Sequence, residues 1–476
     1  MGSKAILLVS VAVFLATAGC ATRSTARGDG GTGIIDGSGG DGSGGDGSVI
    51  PNPGPNAIVT GRVWAPGNAP GMVPAGQEIP VFGAVVRLTS GMPEPIPSTA
   101  YCQRCVEVSG VHGIATHDGS FSIAGITPGD YYLVVEKGQF RIQTPITLLA
   151  GETRAIEQEL TTLPSIADPA SGRFVPRVAV ASGNYDDLQD VLGKMQIGTV
   201  NASGTYEVAP GSESIDFYTN GGEEYGTPAG SLEDLVSNLD RMRQYHIIFI
   251  PCAADDNTSA LQSQSNLRNI RDYVALGGKL YVTDWSGEWM DNVFPAQLTL
   301  QNDDGFGFGS ENADTPASAY DAASNSWDTS LFGDADGDSY DSNNAEVVDD
   351  DLFAWLNGQM GPDAEDPTII GTFDPSHFDV VDSWNTIEMT TPVQVGLDEE
   401  GLPLIDSPKA YVIGGHGTDT PKLPLTVTFE PAGCGRVLYS TYHTTDTAHA
   451  GLVPQERILL YLIMEIGVCI EEPILI

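Results

Sequence analysis

The sequence predicts a multidomain protein: an all-β sandwich followed by a three-layer α/β domain with a mainly parallel sheet. Residues 58–162 hold short alternating strands between Asp-Gly and Pro-Gly turns, the pattern of an antiparallel sandwich. From residue 176 near-continuous apolar strands alternate with helical patterns, which implies a parallel sheet covered on both faces. A third observation locates function. Residues 266–295 read as an amphipathic helix, a Gly277-Gly278 stop, a buried strand over 279–283 and a loop dense in Asp, Trp and Glu. In open α/β sheets ligands bind where the strands end.

In chain order, residues 1–20 read as a targeting segment. Lys4 precedes an apolar run at 5–15 that is too short for a bilayer-spanning helix. Ala16-Thr17-Ala18-Gly19-Cys20 then resembles a bacterial lipobox. That resemblance implies lipidation of Cys20 and an outer-membrane lipoprotein of the cell envelope, periplasmic or surface-exposed. Residues 21–57 are a Gly/Asp/Ser linker with a five-residue period. Having no apolar surface to bury, it is expected to stay disordered.

Within 58–162, strands are expected at 58–64, 82–88, 116–123 and 125–135. The matched residues are Gly61/Val63, Gly83/Ala84/Val86, Asp118/Gly119/Phe121 and Pro128/Gly129/Tyr131/Leu133. They resemble the carboxypeptidase regulatory-like domain, a transthyretin-like β-sandwich, which implies a spacer or binding module. His112 and His117 flank turns and read as surface histidines.

The α/β domain, 176–476, opens with a strand at 178–181 and a helix at 187–195. A second strand is expected at 215–218, and a Ser231-capped helix with early acids follows. Then come a strand at 245–250, a helix at 259–276 and the strand at 279–283. The run HIIFIPCA, the join YVALGGKLYV and the later segment Cys434-Gly435-Arg436-Val437-Leu438-Tyr439 ending near His443 resemble the class I glutamine-amidotransferase-like fold, its ThuA-like branch above all. The resemblance implies a flavodoxin-like sheet. Catalytic members of that family place a cysteine in a tight elbow after the strand that follows the Gly-Gly join. Here Thr283-Asp284-Trp285-Ser286 stands there and no G-x-C-x-G occurs, so the domain is read as lacking the nucleophile elbow.

Converging strand ends would gather Asp186, Cys252, Asp255, Asp284, Trp285, Glu288, Trp289 and His443. Cys252, Asp284 and His443 are the candidates for thiol, carboxylate and imidazole chemistry. Asp186, Asp255, Trp285, Glu288 and Trp289 are the expected lining of a binding crevice. An acidic insertion at about 299–408 carries Asp334, Asp336, Asp338 and Asp341, whose spacing around Gly337 suits a calcium ion. Calcium is the one cofactor the sequence suggests. Asp349-Asp350-Asp351 reads as the cap of a helix over 352–356.

The six cysteines are Cys20, Cys102, Cys105, Cys252, Cys434 and Cys469. Export permits disulfides. Cys102 and Cys105 are expected to form a local bridge, and Cys434 can pair with Cys469, leaving Cys252 odd.

The 476 residues carry 21 Lys+Arg against 63 Asp+Glu, a formal net charge of −42. That excludes nucleic acid as a partner, since phosphate contacts dominate such affinity. The expected role is non-catalytic binding or presentation at the envelope, with the membrane reached through the lipid and an envelope protein or glycan as partner. The alternatives are a hydrolase of the amidotransferase-like superfamily using the strand-end crevice, and a calcium-stabilised adhesion or assembly module.

Overall fold

The computed structural model describes residues 55–102, 110–208, 214–253, 257–300, 314–333, 340–397, 401–415, 422–432, 434–444 and 448–465. Residues 1–54, which hold the expected targeting segment with Cys20 and nearly all of the expected linker, lie outside them, as do Cys105, Asp255, Asp334, Asp336, Asp338, His416 and Cys469. Asp341 begins no described side chain, although its backbone belongs to the strand Tyr340–Val347.

The N-terminal part is a sandwich of two sheets. Ala57–Arg62 runs between Ser120–Ile126 and Thr153–Ala155 in one. The other is ordered Val111–Ile114, Val85–Thr89, Gly129–Lys137, Phe140–Leu148, Arg173–Phe174. Alternation drives each strand: Ala57 and Val59 face the core, as do Phe121 and Ile123. The strand Phe140–Leu148, which sequence reading passed over, pairs along the whole of Gly129–Lys137.

The second part is a ten-stranded sheet. Gly230–Ser231, Asp216–Thr219, Val178–Ser182, Ile247–Ile250, Lys279–Thr283 and Arg436–Ser440 lie side by side, all parallel. Leu423–Phe429, Lys409–Gly414, Tyr340–Val347 and Phe378–Ser383 extend it antiparallel. The overall architecture is thus β plus α/β. The acidic stretch at about 299–408 supplies two strands of this sheet, Tyr340–Val347 and Phe378–Ser383. Ser342, Ala345, Val347, Phe378 and Val380 are buried while acids occupy positions between them. Bulges in this pairing break the strict alternation that would have shown it.

The helices follow local chemistry. Ser231 and Asp234 form a reciprocal capping box on Leu232–Val236. Asp349 accepts from the Leu352 amide at 2.7 Å and starts Asp350–Leu356. The expected single helix at 259–276 is two, Thr258–Leu261 and Gln264–Ala275. The second ends in a Schellman turn: Gly277 has φ 96°, its amide donates to Val274 O, and the Gly278 amide donates to Tyr273 O.

The two faces of the parallel strands feed two cores. Val178, Val180, Ile247, Phe249 and Tyr281 face the side of Leu188–Lys194 and Pro454–Glu465. Ala179, Ala181, Ile248, Ile250 and Val282 face Gln264–Ala275. The first core runs on without interruption into the sandwich through Val59, Val63, Ile79 and Leu163. Residues 53–476 accordingly form one compact unit. The seam is hydrogen-bonded as well: Trp355 Nε1 donates to Pro80 O at 2.7 Å, and Ala100 N to Arg243 O at 2.8 Å. His246 accepts from the Arg177 amide through Nδ1 at 2.8 Å and donates from Nε2 to Pro97 O at 2.8 Å. Burial pushes its pKa down to about 4.

The cysteine pairing also departs from expectation. Cys102 bonds Cys434 rather than its neighbour Cys105, and Cys434 is therefore not joined to Cys469. The reason is placement. The segment before Cys102 lies against the Gly277-Gly278 turn, where a Cβ on Gly277 would come within 2.0 Å of Tyr101 O. The same turn packs on the segment at Cys434: a Cβ on Gly435 would lie 2.5 Å from Gly278 O.

Candidate functional site

Four strand ends and one returning segment build a cleft of about 410 Å³, lined by Asn184, Tyr185, Asp187, Cys252, Trp285, Asp382, Trp384 and His443. The strands place these groups as the parallel topology demands. Val178–Ser182 ends at Asn184 and Tyr185, Ile247–Ile250 at Cys252, Lys279–Thr283 at Trp285, and Arg436–Ser440 near His443. Gly183 allows the first two ends to cross closely, since any Cβ there would sit 1.9 Å from Cys252 O.

The floor is polar and tightly held. Asp186 accepts from Thr283 Oγ1 at 2.6 Å, from Thr444 Oγ1 at 2.6 Å and from Thr444 N at 3.1 Å. Thr283 Oγ1 in turn accepts from the Cys252 amide at 2.9 Å. Gln455 Nε2, from the last helix, donates to His443 O at 2.6 Å. Asp186 is thus the anchor that ties three strand ends together, and it does not itself line the cleft. Burial raises its pKa against the pull of His443 and these donors.

Asp284 stands at the end of Lys279–Thr283 with φ 47°. A non-glycine residue there is strained, and such strain clusters at functional sites. The chain thus makes a left-handed bend directly after this strand, with a carboxylate at the bend. Asp284 Oδ1 accepts from the Trp384 amide at 2.5 Å, and Asp284 O from Tyr439 OH at 2.9 Å. Asp284 Oδ2 lies 3.7 Å from His443 Nε2. Complete burial raises the Asp284 pKa to about 8, even with the imidazole opposing. Burial works against charge on His443, but Asp284 and Asp186 outweigh it and raise its pKa. Burial, reinforced by the Asp284 charge, holds Cys252 well above the usual thiol range. A neutral buried thiol is a poor nucleophile.

Of the residues expected here, the structure brings together Asp186, Cys252, Asp284, Trp285 and His443. Trp289 is 0 % exposed inside the apolar core, and Glu288 is buried too; neither lines the cleft. The short helix Glu288–Asp291 turns them inward. Sequence reasoning missed Tyr185 as a lining group, and missed Asp187, Asp382 and Trp384. The last two arrive from Phe378–Ser383 and the residue after it, so their nearness depends on the strand hidden in the acidic stretch. Trp384 packs against Trp285 with centroids 5.9 Å apart and planes at 17°, and Tyr185 meets Trp285 at 5.9 Å and 32°.

No family model matches the chain, and no curated protein matches it. Among solved structures it is similar to GBS52, a minor pilin of Streptococcus agalactiae, at 15% identity over 24% of this chain and 47% of that one, with a TM-score of 0.16. The chain thus spans less than half of the pilin's length. It is also similar to a ThuA-like protein of Bacteroides uniformis, at 7% identity over 61% of this chain and 90% of that one, with a TM-score of 0.29. The likenesses are to a β-rich pilin and to a protein of the class I glutamine-amidotransferase-like fold, at low identity and over part of the chain.

Proposed function

We propose that the protein is a non-catalytic binding protein of the cell envelope whose strand-end cleft receives a sugar ring of a glycan. The observation that carries this reading is the aromatic row Tyr185, Trp285, Trp384 beside Asp187, Asp382 and Asn184 in one cleft. Tyr185 is 45% and Trp384 41% exposed, although each could have been buried at a gain in stability. A sugar ring has an apolar C–H face that packs on an aromatic plane, and hydroxyls around its rim that donate to carboxylates and amides. The neutral Cys252 thiol supports a binding role over thiol catalysis. We read the second domain as flavodoxin-like and amidotransferase-like, lacking the nucleophile elbow, with Asp284 at the left-handed bend after the strand.

The test is calorimetry of the purified chain against envelope polysaccharides and peptidoglycan fragments. Trp384→Ala is expected to weaken binding by about tenfold or more with the melting temperature unchanged. Wild-type affinity in that variant, or no binding to any carbohydrate offered, would sink the reading.

A further inference from the structure

We propose that Cys252, Asp284 and His443 form a site for one divalent ion of the zinc type, with a coordination position left open to the cleft. The inference is independent of which molecule the cleft receives. A Cys252 sulfur, an Asp284 carboxylate oxygen and a His443 ring nitrogen lie within 4.8 Å of one another. Tetrahedral zinc, with bonds of about 2.0–2.3 Å, sets its ligand atoms roughly 3.3–3.7 Å apart. His443 Nε2 and Asp284 Oδ2 are already at 3.7 Å, so closure on an ion needs side-chain shifts of about 1 Å.

Two further observations point to a ligand. Asp284 Oδ2 has no partner at hydrogen-bond geometry although the residue is 0 % exposed. It lies 3.7 Å from His443 Nε2, and the Cys252 thiol interacts with the same carboxyl group. A buried carboxylate oxygen without a partner is costly, and a cation between the three groups would satisfy it. The second observation is the imidazole. His443 Nδ1 lies 2.7 Å from Thr444 O. A carbonyl can only accept, so Nδ1 carries a proton, and Nε2 is the ring nitrogen turned toward Asp284, where it can bind an ion in its deprotonated form. Zinc-bound histidines are oriented in this way, the far nitrogen donating to a carbonyl or carboxylate.

The donor set decides the ion class. One thiolate, one imidazole and one carboxylate suit zinc, whereas calcium demands oxygen ligands in greater number. Cys252 and His443 also line the cleft, which supplies both an entry path and the open fourth position. On binding, the Cys252 thiol gives its proton to solvent, and so do the Asp284 carboxyl group and His443 Nε2 to the extent that they hold one. Thiolate and carboxylate then balance the ion's two positive charges within the buried site.

The experiment is titration of the chelator-treated full chain with Co²⁺, followed by Zn²⁺ competition. One equivalent of Co²⁺ is expected to give a thiolate-to-metal charge-transfer band, which Zn²⁺ abolishes. Cys252→Ser should remove the band; His443→Ala and Asp284→Asn should weaken Co²⁺ binding by about tenfold or more. Absence of a saturable one-equivalent signal in the wild type overturns the proposal, as does a band that survives intact in Cys252→Ser. Should that variant fail to fold, Asp284→Asn decides, since it keeps the side-chain shape: unchanged Co²⁺ affinity refutes the site.

Discussion

Asp190 sits beneath the Thr199–Val200/Tyr206–Glu207 hairpin, one carboxylate oxygen accepting from the Tyr206 amide at 2.8 Å. Burial raises its pKa to about 7 despite that hydrogen bond. The folded value lies above the unfolded one near 3.9, so the native state binds the extra proton between the two. The contribution to stability is complete below about pH 4 and is lost as pH rises through 7. Asp190→Asn is therefore expected to stabilise the protein by roughly 2–4 kcal/mol at pH 8 and by much less at pH 4.5. Urea unfolding at the two values checks this; equal gains at both would contradict it. The residue scale is also where sequence reading was weakest. Trp285, Trp289 and Trp384 carry the same side chain, yet Trp289 is a core residue and the other two meet in the cleft. One short helix turn separates the first pair of fates, and no periodicity reveals it.

Elements were more legible, where local chemistry decides them. Lys279–Thr283 emerges with its expected bounds because five consecutive positions are buried on both sides. The caps at Ser231 and Asp349 work as their residue types imply. The strands Tyr340–Val347 and Phe378–Ser383 were illegible, since their acids mask a bulged alternation that only the sheet explains. Between elements, Leu188–Lys194 is tied to Pro454–Glu465 by a buried ion pair. Lys194 Nζ lies 3.1 and 3.2 Å from the carboxylate oxygens of Glu456 and 3.0 Å from His449 Nε2. Lys194→Met would remove the ammonium beside buried Glu456 and leave the carboxylate to His449 Nε2 at 3.0 Å and the Val453 amide at 3.2 Å. A loss of about 3–5 kcal/mol is expected, read by denaturant unfolding at neutral pH; a change under about 1 kcal/mol would show that the pair is dispensable.

At the scale of the whole molecule, the sequence suggested two modules in line, and the structure joins them through one core and one covalent bridge. Long-range contacts of this kind leave no local pattern, which is why the bridge was legible only as a set of candidate cysteines. Cys102–Cys434 spans 332 residues. A loop of that length puts its contribution near the upper end of the usual range, about 4–5 kcal/mol. Cys434→Ser is expected to lower stability by this order and to leave the unfolding cooperative, because the seam is also packed and hydrogen-bonded. A midpoint in guanidinium equal to that of the wild type would contradict the estimate.

That bridge bears on how the molecule is made. Cys105 follows Cys102 by three residues, whereas Cys434 leaves the ribosome only after most of the chain. The native bridge can close only once Arg436–Ser440 has taken its place beside Lys279–Thr283, and any earlier bridge between Cys102 and Cys105 would have to open by thiol–disulfide exchange. The last strand of the parallel set, rather than the first cysteine, sets when the fold is sealed.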